Sequence, residues 1–373
     1  MKILSMNNIE NKPNELKAKK INDGKKENIN INQINYNEKE SFYSKEELKN
    51  ITSITELIKE NYPKLLEQIE NLEYLGSGGE SNVYKIKQKK GKQEYLLKII
   101  INEKRKNKNI NELKNISKLK NNNIINFISY IPFKKSNIDS ILMEYCLLGD
   151  LKKFLNEKLK RSKFAETFLC YITISVLKGL KYCQNNKIVH YDIKPENIVI
   201  DELFNIKIID FSESVNYKEI NSKKIKLKYC GTGFYMAPEV IKEKVIDLKD
   251  INKIDLYSLG VLLYKFAFCS YPYSLNYDED HKNDEQIYNK IMNNKVEFDD
   301  PNEEYSELFK DFEKKLLEKD ISKRININES LEHPWVKAGN ILIDEKEKLY
   351  NGNSFLINLM MDNFYSFNEI VKN

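Results

Sequence analysis

Eight residues constrain this chain more than any other stretch. His190-Tyr191-Asp192-Ile193-Lys194-Pro195-Glu196-Asn197 brings a carboxylate, an ammonium and a carboxamide close together, and the apolar strand-like run Ile198-Val199-Ile200 follows at once. Moving a phosphoryl group to a hydroxyl needs an acceptor for the hydroxyl proton, a cation near the moving group and oxygen ligands for magnesium. The octapeptide offers all three: Asp192 as base, Lys194 as cation and Asn197 as ligand. Eighteen residues after Asp192 comes Asp210, preceded by the apolar run Ile206-Lys207-Ile208-Ile209. A carboxylate at the end of a strand is well placed to hold a metal.

The hydrophobic period changes along the chain. Residues 1–43 are rich in asparagine and lysine and poor in large apolar residues, so they cannot bury enough surface to offset ordering entropy and are expected to be disordered. Ser44 and Glu47 have capping-box spacing, and Leu48, Ile51, Ile54, Leu57 and Ile58 form an apolar stripe, which predicts a helical extension over 44–71 interrupted at Pro63. Residues 72–101 read as three strands, with a helix near 111–119 and two further strands at 124–131 and 139–145. From Asp150 onward the pattern is mainly helical, with strand-like pieces at 188–200 and 206–210. The expected fold class is therefore α+β and bilobal: a small β-rich lobe at 72–145, a large helical lobe at 150–336 and a crevice between them. A tail with a helix follows at 337–373; Leu356, Met360, Phe364, Phe367 and Val371 form a helical stripe. That helix is expected to dock on the large lobe, with autoinhibition or binding of a regulatory partner as the alternative.

Other short motifs surround the octapeptide in order. A Gly-rich loop reads Gly76-Ser77-Gly78-Gly79-Glu80-Ser81-Asn82-Val83; Lys98 ends Tyr95-Leu96-Leu97-Lys98; Glu112 stands eleven residues before Asn123-Ile124. Met143-Glu144-Tyr145-Cys146, Ala237-Pro238-Glu239, Asp255-Leu256-Tyr257-Ser258-Leu259-Gly260, Arg324 and His333-Pro334-Trp335 follow. Over about residues 72–336 the chain resembles the eukaryotic protein kinase family, of the serine/threonine type, with a calmodulin-dependent-kinase-like or an orphan branch as its group. The resemblance implies ATP with Mg2+ (or Mn2+), Ser/Thr-bearing protein substrates, and a role for each matched residue. Gly76, Ser77, Gly78 and Gly79 would cradle phosphates. Lys98 would pair with them and with Glu112. Val83 and Val199 would sandwich the adenine, whose edge would meet backbone groups of Glu144 and Cys146. Asp192 and Lys194 would be catalytic, braced by Thr232, while Asn197 and Asp210 would hold the metal. Asp255 would accept hydrogen bonds from the catalytic-loop backbone, and Glu239 with Arg324 would form a structural ion pair.

Five positions depart from the family pattern. Tyr191 stands where an arginine usually binds an activation-loop phosphate, and Lys228 occupies the usual phosphate-carrying position. Activity is therefore expected not to need phosphorylation there. Ser212 replaces a glycine after Asp210-Phe211, Ser81 replaces the third loop glycine and Leu96 replaces a small residue above the adenine. These keep a rival reading open, a pseudokinase scaffold without turnover. Asp150 and Glu196 fall where basophilic relatives receive basic residues upstream of the target, so an Arg or Lys preference is expected; Asp150 also reads as a helix cap.

Composition narrows the remaining classes. Net charge is only +5, and residues 1–40 hold eight lysines against six acids, which is no footprint for nucleic acid. The five scattered cysteines lack CxxC spacing, which disfavours zinc and a disulfide framework. No apolar run approaches the roughly 20 residues of a membrane span, and no signal-peptide core stands at the N-terminus. A cytoplasmic or nuclear location is expected.

Overall fold

A computed structural model of the chain describes residues 44–78, 81–91, 93–101, 112–133, 138–154, 164–275, 283–301 and 303–349. The expected disorder of 1–43, Gly79, and the expected helix at 354–371 lie outside the described residues. Contacts divide the chain into Met1–Tyr36 and Asn37–Asn373, and every described residue belongs to the second unit.

The small lobe is one antiparallel sheet, in the order β1-β2-β3-β5-β4. Its strands are β1 (Ile69–Ser77), β2 (Ser81–Gln88), β3 (Glu94–Ile101), β4 (Phe127–Tyr130) and β5 (Ile138–Glu144). Alternation sends successive side chains of a strand to opposite faces. Along β3, Leu97, Ile99 and Ile101 enter a core cluster on one face, whereas Ile100 joins the main core and Lys98 faces the cleft on the other. A helical segment at 112–116, here α3, carries Ile116 into that main core.

The outer face of this sheet is covered by the N-terminal extension. Ser44 and Glu47 form the expected reciprocal pair: the Glu47 N–H donates to Ser44 Oγ at 3.2 Å and the Ser44 N–H donates to Glu47 Oε2 at 2.6 Å. The pair opens only a short 3-10 turn, Glu47–Lys49. The α-helix proper, α1 (Ile51–Asn61), starts later, because Asn50 Oδ1 accepts from the Thr52 N–H and caps it. Leu48, Ile54, Leu57 and Ile58 are buried, whereas Ile51, the first residue of α1, is 41% exposed and leaves the expected stripe. Pro63 begins α2 (Pro63–Gln68), as its fixed φ suits a first helical position. Ile69–Asn71, placed with the helical extension by the sequence pattern, already belong to β1.

The large lobe is helical. After the two-residue strand β6 (Gly149–Asp150) come α4 (Leu151–Lys153), α5 (Glu166–Asn185), α6 (Pro238–Ile241), α7 (Lys253–Phe268), α8 (Asp284–Asn293), α9 (Glu307–Leu316), α10 (Ile327–Leu331) and α11 (Pro334–Leu349). Buried residues ring α7 on all sides, which makes it the axis of this lobe. Gly179 lets α5 approach the cleft-side strands: a Cβ there would lie 2.9 Å from the Asn123 carbonyl. Short strands carry the site: β7 (Ile188–Val189), β8 (Ile198–Ile200), β9 (Ile206–Ile208), β10 (Val215–Asn216), β11 (Lys224–Lys226) and β12 (Val245–Asp247). They pair as β6-β8-β9, β7-β10 and β11-β12. The bilobal α+β expectation holds. Beyond residue 336, α11 runs on, burying Ala338, Leu342 and Ile343.

Candidate active site

The cleft-facing register of β3 places Lys98 beside two carboxylates. Its Nζ lies 2.7 Å from Glu112 Oε1 and 2.8 Å from Asp210 Oδ1. Burial opposes the charged ammonium, but the Asp210 and Glu112 carboxylates outweigh it, so the Lys98 pKa is raised. Burial likewise pushes Asp210 toward its neutral form, and Lys98 reverses that, holding Asp210 well below the usual carboxylate range. Glu112 is raised, because its burial outweighs the pull of the shared lysine. One ammonium between two acids leaves the more exposed acid, Asp210, with acceptor capacity toward the cleft.

The turn after β7 carries the octapeptide. Asp255, buried at the start of α7, accepts the N–H groups of His190 and Tyr191, both at 2.8 Å. Asp192 Oδ2 then accepts from Asn197 Nδ2 at 2.8 Å and lies 2.7 Å from Lys194 Nζ, while Asp192 Oδ1 accepts from Thr232 Oγ1 at 2.8 Å. Lys194 also donates to Thr232 Oγ1 at 2.7 Å. Thr232 thus links the acid and the lysine across a gap of 40 residues. Gly231 makes this approach possible. Its φ is +104°, and a Cβ there would sit 2.6 Å from the Tyr191 carbonyl oxygen.

Gly76, Ser77, Gly78, Val83, Lys98, Glu112, Glu144, Cys146, Asn197, Val199 and Asp210 line one cavity of about 570 Å³, within the size range of small-ligand pockets. Asp192 joins it through Asn197. Gly79 is outside the described residues, so its place in the cradle rests on sequence alone. Leu96 also lines the cavity, and the cavity of about 570 Å³ is present with it in place. The oxygen donors fit a magnesium-type ion: Asn197 spends its amide nitrogen on Asp192, which leaves its carbonyl oxygen as the ligand end, and Asp210 is held ionised. Two protein oxygens suit an ion that keeps waters and substrate phosphates in its shell.

The two halves of the expected phosphate switch have different occupants. Tyr191 is buried, with φ +69°. The activation segment is instead tied by backbone pairing: β11 joins β12, the Leu227 N–H donates to the Lys244 carbonyl at 2.9 Å, and the Leu248 N–H donates to the Lys223 carbonyl at 2.8 Å. Leu227 is buried beside this ribbon.

Sequence reading missed Asn115 and Ser214. Asn115 Nδ2 donates to Ser214 Oγ at 2.9 Å, both residues being buried, and this couples α3 to the segment after Asp210. The signal was present, since Asn115 follows Glu112 by three residues and shares its helix face. Glu166 was missed too. Its carboxylate accepts from Ser306 N–H and Oγ and from Trp335 Nε1, anchoring the buried tryptophan.

The family described as "Protein kinase domain" matches residues 69–336. An Aurora kinase of Patiria pectinifera is 31% identical over 268 residues, covering 70% of this chain and 61% of that protein. Calcium-dependent protein kinase 4 of Plasmodium berghei (strain Anka) is 32% identical over 278 residues, covering 73% of this chain and 50% of that protein. An Aurora kinase of Dictyostelium discoideum is 30% identical over 70% of this chain and 64% of that protein. The chain therefore spans about half to two thirds of the length of these relatives, and two differently named kinase groups match it almost equally. With the match covering most of the chain and the lysine, both acids and the catalytic turn assembled around one cleft, the chain belongs to the eukaryotic protein kinase family, on its serine/threonine branch.

Proposed function

We propose that this chain is a catalytically competent kinase that moves the γ-phosphoryl of ATP to serine or threonine of protein substrates. The observation that carries the reading is the Lys194–Thr232–Asp192–Asn197 network, joined at the cleft to Lys98 and Asp210. Val83 and Val199 bound the adenine slot. The Glu144 N–H is already donated to the Asn126 carbonyl, so Glu144 offers its carbonyl to the base edge; Cys146 offers its N–H, since its carbonyl accepts from Gly149. Lys98 meets the α- and β-phosphates, held in place by Glu112. Asp192 accepts the proton of the substrate hydroxyl, and Lys194 neutralises charge that builds on the transferred group. A divalent cation on Asn197 and Asp210 would supply charge neutralisation at the phosphates.

Asp150 and Glu196 support a preference for basic residues upstream of the target. Asp150 Oδ1 caps α4 by accepting the Lys153 N–H at 2.9 Å, which leaves its other oxygen for a substrate. Glu196 Oε1 pairs with Lys152 at 2.8 Å, with side chains 40% and 60% exposed. A pair this exposed contributes roughly 0–1 kcal/mol, so a substrate arginine can replace Lys152. Glu196 Oε2 is buried and finds no hydrogen-bond partner among the described residues.

A peptide library with Ser, Thr or Tyr as acceptor and varied flanking residues, incubated with the chain and MgATP, tests this. Labelling of Ser and Thr with upstream Arg or Lys selected is the expected result. Labelling without upstream selection would remove the basic preference. Retained nucleotide binding with no labelling of any peptide would favour a scaffold without turnover.

A further inference from the structure

The N-terminal extension does more than cover the outer face of the small-lobe sheet. It reaches the Gly-rich loop at two points through one residue. Lys45 Nζ donates to the Gly78 carbonyl at 2.5 Å, and the Lys45 carbonyl accepts from Asn82 Nδ2 at 3.0 Å. Gly78 lies at the end of the rising strand of the loop, and Asn82, which is fully buried, lies at the start of the falling one. Lys45 therefore bridges both sides of the hairpin. The Gly78 N–H is used as well, donated to the Ser81 carbonyl at 2.9 Å.

Lys45 is itself anchored. It lies within the Ser44–Glu47 reciprocal cap, and Leu48 three residues on is 0% exposed in the cluster formed with Ile54, Leu57 and Ile58. Tyr62 closes the far end, donating its hydroxyl to the Pro132 carbonyl and packing edge-on against Phe133. Gly78 lines the nucleotide cavity, and Lys45 grips it from outside the lining residues. A glycine-rich loop loses much conformational freedom when it settles on a ligand. Holding a carbonyl of that loop beforehand removes part of that loss.

We propose that residues 44–62 are a built-in brace that positions the Gly-rich loop for the nucleotide phosphates, with Lys45 as its positioning residue. This rests on the cleft being a nucleotide site. The buried apolar side chains supply the packing, so the tether can be cut without cutting the brace away.

The test uses the full chain and MgADP as the probe, by calorimetric titration, together with KM and kcat for ATP. Lys45→Ala should weaken MgADP binding and raise the ATP KM about threefold to tenfold, the range expected for one charge-assisted hydrogen bond partly open to water. The kcat at saturating ATP should stay within about twofold, and Lys45→Arg should restore most of the affinity. Exchange of loop amides around 76–83 should quicken in Lys45→Ala. Equal MgADP affinity in wild type and Lys45→Ala would overturn the proposal, as would a loss that Lys45→Arg does not restore. A wild type that binds MgADP yet transfers no phosphate would overturn the function and leave the brace standing on its binding data; a wild type that binds no MgADP would overturn both.

Discussion

Two buried ion-pair systems in this molecule look alike in distance and differ in purpose. Arg324 and Glu239 meet in the large lobe at 2.6 and 3.0 Å in a two-pronged pair, with side chains 0% and 2% exposed. Arg324 also donates to the carbonyls of Glu318 (2.9 Å) and Lys253 (3.0 Å) and lies over the Tyr257 ring. That system is closed. Lys98, Glu112 and Asp210 come from three segments, line a cavity, and leave Asp210 35% exposed. That system is open on one side. A closed pair holds helices together and has nothing left to give a ligand; an open one is completed only by what enters the cleft.

Breaking each system should therefore give opposite symptoms. Lys98→Met should lower phosphate transfer by about 100-fold to 1,000-fold, the scale of losing one preorganised charge at a reacting phosphate. Its loss of thermal midpoint should be smaller than that of Arg324→Met, because Glu112, whose pKa burial already raises, can take up a proton and Asp210 is partly exposed. An equal loss of midpoint and of activity would erase the distinction. Arg324→Met should do the reverse. It strands Glu239 in the core, an error of about 3–5 kcal/mol, visible in urea titration, while the remaining folded fraction keeps its KM for ATP.

A smaller effect sharpens the same contrast. Glu313, on α9, is fully buried, and both its carboxylate oxygens lack a hydrogen-bond partner among the described residues. Burial raises its pKa well above the usual value. A carboxyl with a raised folded pKa contributes most below its unfolded value near 4.5, and that contribution is lost as pH rises toward the folded value. Glu313→Met should raise stability at pH 7 by about 1–3 kcal/mol and flatten this part of the pH dependence. A destabilised variant would mean that the acid serves a hidden partner. Smallest of all is the activation segment. With Tyr191 buried and the β11–β12 ribbon holding the segment, phosphatase treatment or Lys228→Thr should change turnover by less than about twofold. Mass-spectrometric mapping of an essential phosphate within 213–231 would contradict this.

The sequence shows the cleft better than its supports. Lys98, Asp192, Asn197 and Asp210 were readable because chemistry fixes residue type and order there, and the strands beneath them have clear alternation. The fold class followed from the change of hydrophobic period near residue 72 and again near 150. The supports were harder. Asn115 and Ser214 meet across 99 residues, and nothing local in either segment announces the partner. The β11–β12 ribbon joins two strands of three residues each, Lys224–Lys226 and Val245–Asp247, and though Ile225 faces the buried Ile246 across it, runs this short show no readable period. The extension over 44–62 was legible as a helix from its stripe, but its docking place was not, because Lys45 and Gly78 become neighbours only once the sheet has formed. A lysine in so lysine-rich a chain also carries little signal of its own.

The most direct measurement compares MgATP-dependent phosphorylation of a generic basic protein substrate by wild type and Asp192→Asn. The substitution keeps the shape and the hydrogen bond from Thr232 while removing the proton acceptor. A kinase of the kind described here transfers phosphate to serine and threonine, and Asp192→Asn loses that activity by about 100-fold or more with an unchanged melting curve. Equal rates in the two proteins, or no transfer by a wild type that binds MgATP, would contradict it.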